Sequence, residues 1–193
     1  MEQTGIDNVI AKRLADAEQA KNDGSAALQA GNIKRASFLY KSVYLHLGDL
    51  VTPKLVEGVS GAASSDDGGM AAMVGQGRKK PKCTPEEQSA VDKLYMASVS
   101  NLALTHLKLG RPSEAIQCAT RVLLLEPRNT KALFRRAKGR IQLGLLDEAA
   151  ADLNAILEIT PGDADTVATQ NELALLLSQS KEKEKAMFKK MFS

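Results

Sequence analysis

Five cationic side chains fall within ten residues, at Lys131, Arg135, Arg136, Lys138 and Arg140. They lie in the stretch NTKALFRRAKGR, which holds one aromatic and no carboxylate. On a helix, residues four apart share a face, so Lys131 and Arg135 aim two cations in one direction, where charge-assisted hydrogen bonds could hold a carboxylate. The competing reading is a solvated helix face, the ordinary fate of a charged run. Whole-chain charge argues against nucleic acid, because 26 Lys and Arg against 23 Asp and Glu leave a net charge of only +3. The cluster therefore needs a local explanation.

Other chemistry is sparse. GVSG is not a nucleophile elbow, and GMAAMVGQG lacks both the spacing and the GK[ST] ending of a phosphate loop. His46 has no Cys or Asp partner at metal spacing, and His106 falls where a large packing residue is expected. Neither a catalytic set, nor a metal site, nor a cofactor site is expected, and the chain reads as a non-enzyme. Two cysteines, Cys83 in a polar stretch and Cys118 in an apolar periodic run, imply no disulfide framework and fit a reducing compartment. The N-terminal MEQTGIDNVIAKRL has no apolar signal-like core, and nowhere do eighteen uncharged apolar residues run together. A soluble, cytoplasmic protein with no membrane span is expected.

The elements that would position Lys131 and Arg135 are helical. Apolar residues make up 44% of the 193-residue chain, Trp is absent, and four Phe with three Tyr leave Leu and Ala to carry the packing. That is the composition of helix against helix. The breakers recur with one period: Gly110 and Gly144, Ala115 and Ala149, and Pro127 and Pro161 are each 34 residues apart. Between them, NLALTHLKL with EAIQCATRVLLL, and ALFRRAKGRIQL with EAAADLNAIL, place apolar residues at spacings of three and four. GNIKRASFLYKSV repeats the design upstream, with Gly31 at the turn, Ala36 five residues on and Tyr40 in the adjoining aromatic slot. Gly31 and Gly110 are 79 residues apart, 45 more than one period. The extra length centres on EGVSGAASSDDGGMAAMVGQGRKKPK, a composition too poor in core formers to offset ordering entropy, so a mobile loop is expected over roughly Thr52 to Cys83. In TPEE, Thr84, Pro85 and Glu87 predict a capping box that starts an unusually long helix. Asp163 can cap a last helix that buries Val167, Leu173 and Leu176 before turning polar.

This pattern resembles the tetratricopeptide repeat, and with the inserted loop and terminal extension it is similar to the tetratricopeptide repeat protein nine family and the C-terminal repeat domain of the large immunophilins. The resemblance implies an all-α, right-handed superhelix forming a single domain over residues 1–193: a first repeat at 6–51, the loop at 52–83, a second repeat at 84–127, a third at 128–161 and a capping helix at 162–193. Its first helices line a concave groove, where the family's carboxylate clamp uses Lys and Asn four apart, then Asn, then Lys and Arg four apart. This sequence offers Lys21 and Ser25, then Asn101, then Lys131 and Arg135, with Ser25 the one departure. A serine hydroxyl is shorter than an amide and reaches a terminal carboxylate less well.

The resemblance further implies an adaptor for the acidic Glu-Glu-Val-Asp tails of the seventy- and ninety-kilodalton cytosolic heat-shock chaperones. The alternative is a scaffold that grips an internal helical or extended segment without a free carboxylate. Prolyl isomerase activity, known in immunophilins, is not expected, because the first repeat begins near the start of this sequence. Arg136, Lys138 and Arg140 are expected to stay solvated, with only secondary contacts to an acidic peptide. The expected state of KEKEKAMFKKMFS is a capping helix with Phe188 and Met191 tucked on the last repeat, while similar immunophilin tails bring calmodulin or an anionic surface into view as its ligand. GRKKPK, with Arg78, Lys79, Lys80 and Lys82, has the form of a nuclear-import signal and names the nucleus as a second location.

Overall fold

The computed structural model describes residues 3–53 and 82–191. Most of the expected loop, including Arg78, Lys79 and Lys80 of the basic signal, lies outside the described residues. Every regular element among the described residues is an α-helix: α1 (Gln3–Gln29), α2 (Ile33–Leu47), α3 (Pro85–Lys108), α4 (Pro112–Leu125), α5 (Thr130–Gln142), α6 (Leu146–Ile159) and α7 (Ala164–Met191). They fall into two compact units, Met1–Gly110 with α1 to α3 and Arg111–Ser193 with α4 to α7.

In the first unit, α1 ends on Gly31 at φ +77°. The Gly31 N–H donates to the Leu28 carbonyl at 3.1 Å and the Asn32 N–H to the Ala27 carbonyl at 2.9 Å. These two bonds close a Schellman turn, whose left-handed residue is nearly free of cost only for glycine. Asn32 then caps α2 by accepting from the Arg35 N–H at 3.2 Å. Ala36, fully buried, brings α2 against α1, and Ile10, Ala17, Val43, Leu47, Val91 and Tyr95 complete the core. The long α3 begins as the sequence predicts. The Thr84 N–H donates to Glu87 Oε2 at 2.8 Å, and the Glu87 N–H returns a 3.3 Å bond to Thr84 Oγ1.

Thr52, expected to be mobile, is anchored. Its N–H and hydroxyl donate to the two carboxylate oxygens of Asp92 at 3.0 and 2.6 Å. Gln88 Nε2 also donates to the Leu50 carbonyl at 2.9 Å. Arg13 of α1 holds the same region by donating to the His46 carbonyl at 2.7 Å and pairing with Asp49. Cys83 is half-buried, and that burial pushes its thiol pKa up, with the Glu87 charge adding to the effect.

The second unit repeats the turn chemistry at Gly144, φ +76°. Here the Leu145 N–H reaches the Arg140 carbonyl at 2.9 Å and the Gly144 N–H reaches the Ile141 carbonyl at 3.0 Å. Ala115 and Ala149, the two alanine marks, are fully buried. Gly139 sits where α4 and α5 approach closely, since a Cβ there would lie 2.8 Å from Ile116 Cγ1. Asp163 starts α7 by accepting from the Thr166 hydroxyl at 2.5 Å and from its N–H at 3.0 Å. The buried face of α7 differs from expectation: Leu173 is buried, but Val167 and Leu176 are exposed, and Thr166 and Thr169 occupy the face instead. The three buried positions follow one helical stripe, and a threonine that hydrogen-bonds locally can be buried on it, as Thr169 does by donating to the Asp165 carbonyl. Phe188 and Met191 are not tucked away either, being 66% and 73% exposed.

Candidate functional site

The five residues named by register divide between the units. In the first, Lys21 and Ser25 are half-buried on α1 and Asn101 is half-buried on α3. Gly24 lets the Tyr40 ring lie flat on α1, since a Cβ there would come within 2.8 Å of Tyr40 Cε1. The ring is buried, and its hydroxyl lies 3.1 Å from Ser25 Oγ. Ser25 Oγ donates to the Lys21 carbonyl at 3.0 Å. A serine has one proton, so with that proton on Lys21 the Tyr40 hydroxyl is the donor of the second bond. Ser25 is thereby engaged by its own unit, and it has no proton in this arrangement to offer a carboxylate.

In the second unit, Asn129 caps α5 by accepting from the Ala132 N–H at 3.0 Å, which places Lys131 in the first turn with its side chain exposed. Arg135, one turn on, is half-buried. The two share a face, about 40° apart at ~100° per residue. Arg136 and Arg140 lie on the far side of the helix, and there the structure overturns their expected solvation. Arg136 Nε and Nη2 donate to both oxygens of Asp152 at 3.0 and 2.7 Å, and Arg140 Nη1 donates to Asp152 Oδ2 at 2.5 Å and to the Glu148 carbonyl at 3.0 Å. The Asp152 side chain is 4% exposed and the two arginines about a fifth exposed. Carrying a carboxylate into the interface between α5 and α6 is costly unless it is paired and fully hydrogen-bonded, and the bidentate arginine meets that need.

Sequence reasoning missed Asp152. The available signal was an aspartate at a core position of the α6 stripe, beside Ala149, Leu153 and Ile156, all buried. The last member of the cluster, Lys138, places Nζ 5.4 Å from the centroid of the Phe134 ring.

His106 and Cys118 are buried packing residues. Among the described residues, no group of three or more His, Cys, Asp or Glu is placed to hold a metal ion, and no helix is long and apolar enough to cross a membrane.

Helices paired by glycine turns, close alanine contacts at the same register and a 34-residue period describe the tetratricopeptide-repeat fold, and residues 100–164 match the tetratricopeptide repeat family model. The chain is similar to FK506-binding protein 59 of Drosophila melanogaster, 33% identical over 113 residues that cover 57% of this chain and 25% of that protein. It spans about a quarter of the length of the curated relatives it matches. Among solved structures it is similar to the C-terminal TPR-containing domain of a Plasmodium falciparum FK506-binding protein, with a TM-score of 0.66 and 18% identity over 91% of this chain and 95% of that one. It is also similar to the first TPR domain of Spaghetti (RPAP3) bound to the HSP90 peptide SRMEEVD, with a TM-score of 0.58 and 16% identity over 85% of this chain and 94% of that one. At these identities the shared property is the fold. The all-α tetratricopeptide fold expected from the repeats is the fold of this chain.

Proposed function

We propose that this chain is a non-catalytic cytoplasmic adaptor that binds the acidic C-terminal tails of the seventy- and ninety-kilodalton heat-shock chaperones. Lys131 and Arg135, both in the second unit, are the proposed cationic holders of the terminal Asp. Ser25 is bonded within its own unit, to the Lys21 carbonyl and the Tyr40 hydroxyl. The observation that carries this reading is the division of the α5 cluster: Arg136 and Arg140 neutralise Asp152, while Lys131 and Arg135 share a different face of the same helix. A solved structure of the same fold holds a peptide ending in Glu-Glu-Val-Asp, which supports the choice of ligand.

Calorimetry with a peptide ending in Glu-Glu-Val-Asp tests the proposal. Micromolar affinity is expected, about −8 kcal/mol, because a short flexible ligand loses much of its contact energy to its own ordering. A C-terminally amidated peptide should lose that binding. Equal binding of acid and amide would favour the alternative, a scaffold that grips an internal segment. The exposure of Met187 and Met191 beside Lys183 and Lys190 on α7 favours calmodulin as a separate partner of that helix. A calcium-dependent mobility shift lost in a chain ending before Lys181 would support it.

A further inference from the structure

Lys138 is the one cation of the α5 cluster that neither the Asp152 network nor the proposed carboxylate pair employs. It shares the face of Lys131 and Arg135, about 20° from Lys131 at ~100° per residue. Its ammonium lies over Phe134, and both side chains are half-buried. A ring face attracts a cation but is a poor hydrogen-bond acceptor, so the ring restrains the ammonium while leaving its N–H donors available to a stronger partner. Restraint lowers the entropy that a long side chain loses when it binds.

We infer that Lys138, backed by Phe134, is a second anion subsite on α5 that selects a Glu or Asp three residues before the carboxyl terminus of the bound peptide. The inference rests on the proposed chaperone-tail function and adds a sequence requirement to it. Seven helical residues separate Lys131 from Lys138, about 10 Å along the axis. An extended peptide covers about 3.3 Å per residue, so the same span is three residues of ligand. The charges along α5 also set the ligand's direction. Glu126, exposed and accepting a 2.6 Å bond from Asn129 Nδ2, stands at the N-terminal end of the helix and repels an acidic peptide running that way. Towards Lys138 the charge is positive.

The test is a double-mutant cycle by calorimetry on the full chain, after circular dichroism has shown native helicity. Four peptides are used: one ending Glu-Glu-Val-Asp, two with Gln replacing either Glu, and one amidated at its terminus. With the native chain, Gln at the position three before the terminus should weaken binding about fivefold, the size expected of a partly exposed ion pair. Lys138→Gln should weaken the parent peptide by the same factor and respond no further to that peptide change. Phe134→Leu should give about a twofold loss, through the restraint alone. Equal losses from the Gln peptide in native and Lys138→Gln chains would overturn the subsite, as would coupling to the other Glu. If the parent peptide binds with Lys131 dependence while the cycle is additive, the chaperone-tail reading stands and the subsite falls. If acid and amide bind alike, both fall.

Discussion

Two first helices carry a polar pair at the same register, Lys21 with Ser25 on α1 and Lys131 with Arg135 on α5, and the chemistry of the second member separates them. A serine hydroxyl sits close to its own backbone and can bond the carbonyl four residues back, as Ser25 does to Lys21, with Tyr40 completing the arrangement. A guanidinium has no acceptor and holds its donors at the end of a long stem, which suits it to ligands beyond the helix. Equal register therefore does not give equal surroundings. The first pair is a lysine with a neighbour bonded within its own unit, and the second is two cations on one helix face.

The comparison can be broken most forcefully through Asp152. Asp152→Ala leaves two part-buried guanidinium groups without their carboxylate and should lower the stability of the second unit by about 3 kcal/mol, read as a fall in thermal midpoint. A change within the error of the measurement would show that solvent already screens the network. Next in size is Arg135→Ala, which should cost about 1.5–3 kcal/mol of peptide affinity, read by calorimetry. The contrast between the pairs fails if Ser25→Ala weakens the peptide as much.

The expected effect of Ser25→Ala is on folding instead, a loss of about 1 kcal/mol in denaturant unfolding. Tyr40→Phe should match it, and the double variant should lose less than the two effects combined, because they share one hydrogen bond. Full additivity would place the Tyr40 proton elsewhere. The smallest effect concerns Asp163. The Thr166 hydroxyl, followed by the Thr166 N–H, holds the pKa of its carboxyl below the ordinary 3.8. A lowered folded pKa contributes stability that is complete above the ordinary value and fades as pH falls through the folded one. The start of α7 should thus fray in acid below about pH 4, seen as faster amide exchange at Thr166, and Asp163→Ala should show that exchange already at neutral pH.

Much of this fold was legible because its signals are local. A glycine that must take positive φ, an alanine where helices touch and a Thr-Pro-Glu-Glu start each determine their neighbourhood without help from distant residues. The errors arose where the partner was distant or the residue ambivalent. Arg136 and Arg140 looked solvated because their carboxylate lies 16 and 12 residues further along, on another helix. On α7, attention to apolar residue types picked out Val167 and Leu176, whereas the helical period marked Thr166, Thr169 and Leu173. For the candidate site, register marks positions but not their surroundings, because no pattern of spacing reveals that Tyr40 reaches over Gly24 to the Ser25 hydroxyl.

The anchoring of Thr52 on Asp92 has a consequence for length variation. Gln88, one turn into α3 from Thr84, also reaches the Thr52 hydroxyl at 3.3 Å, so Thr52 and Thr84 lie near the same end of one helix. Because the cost of closing a connection grows only slowly with its length, insertions between these points tax the unit little. The position is accordingly a natural place for relatives to gain or lose sequence, and a practical one for grafting a fluorescent reporter.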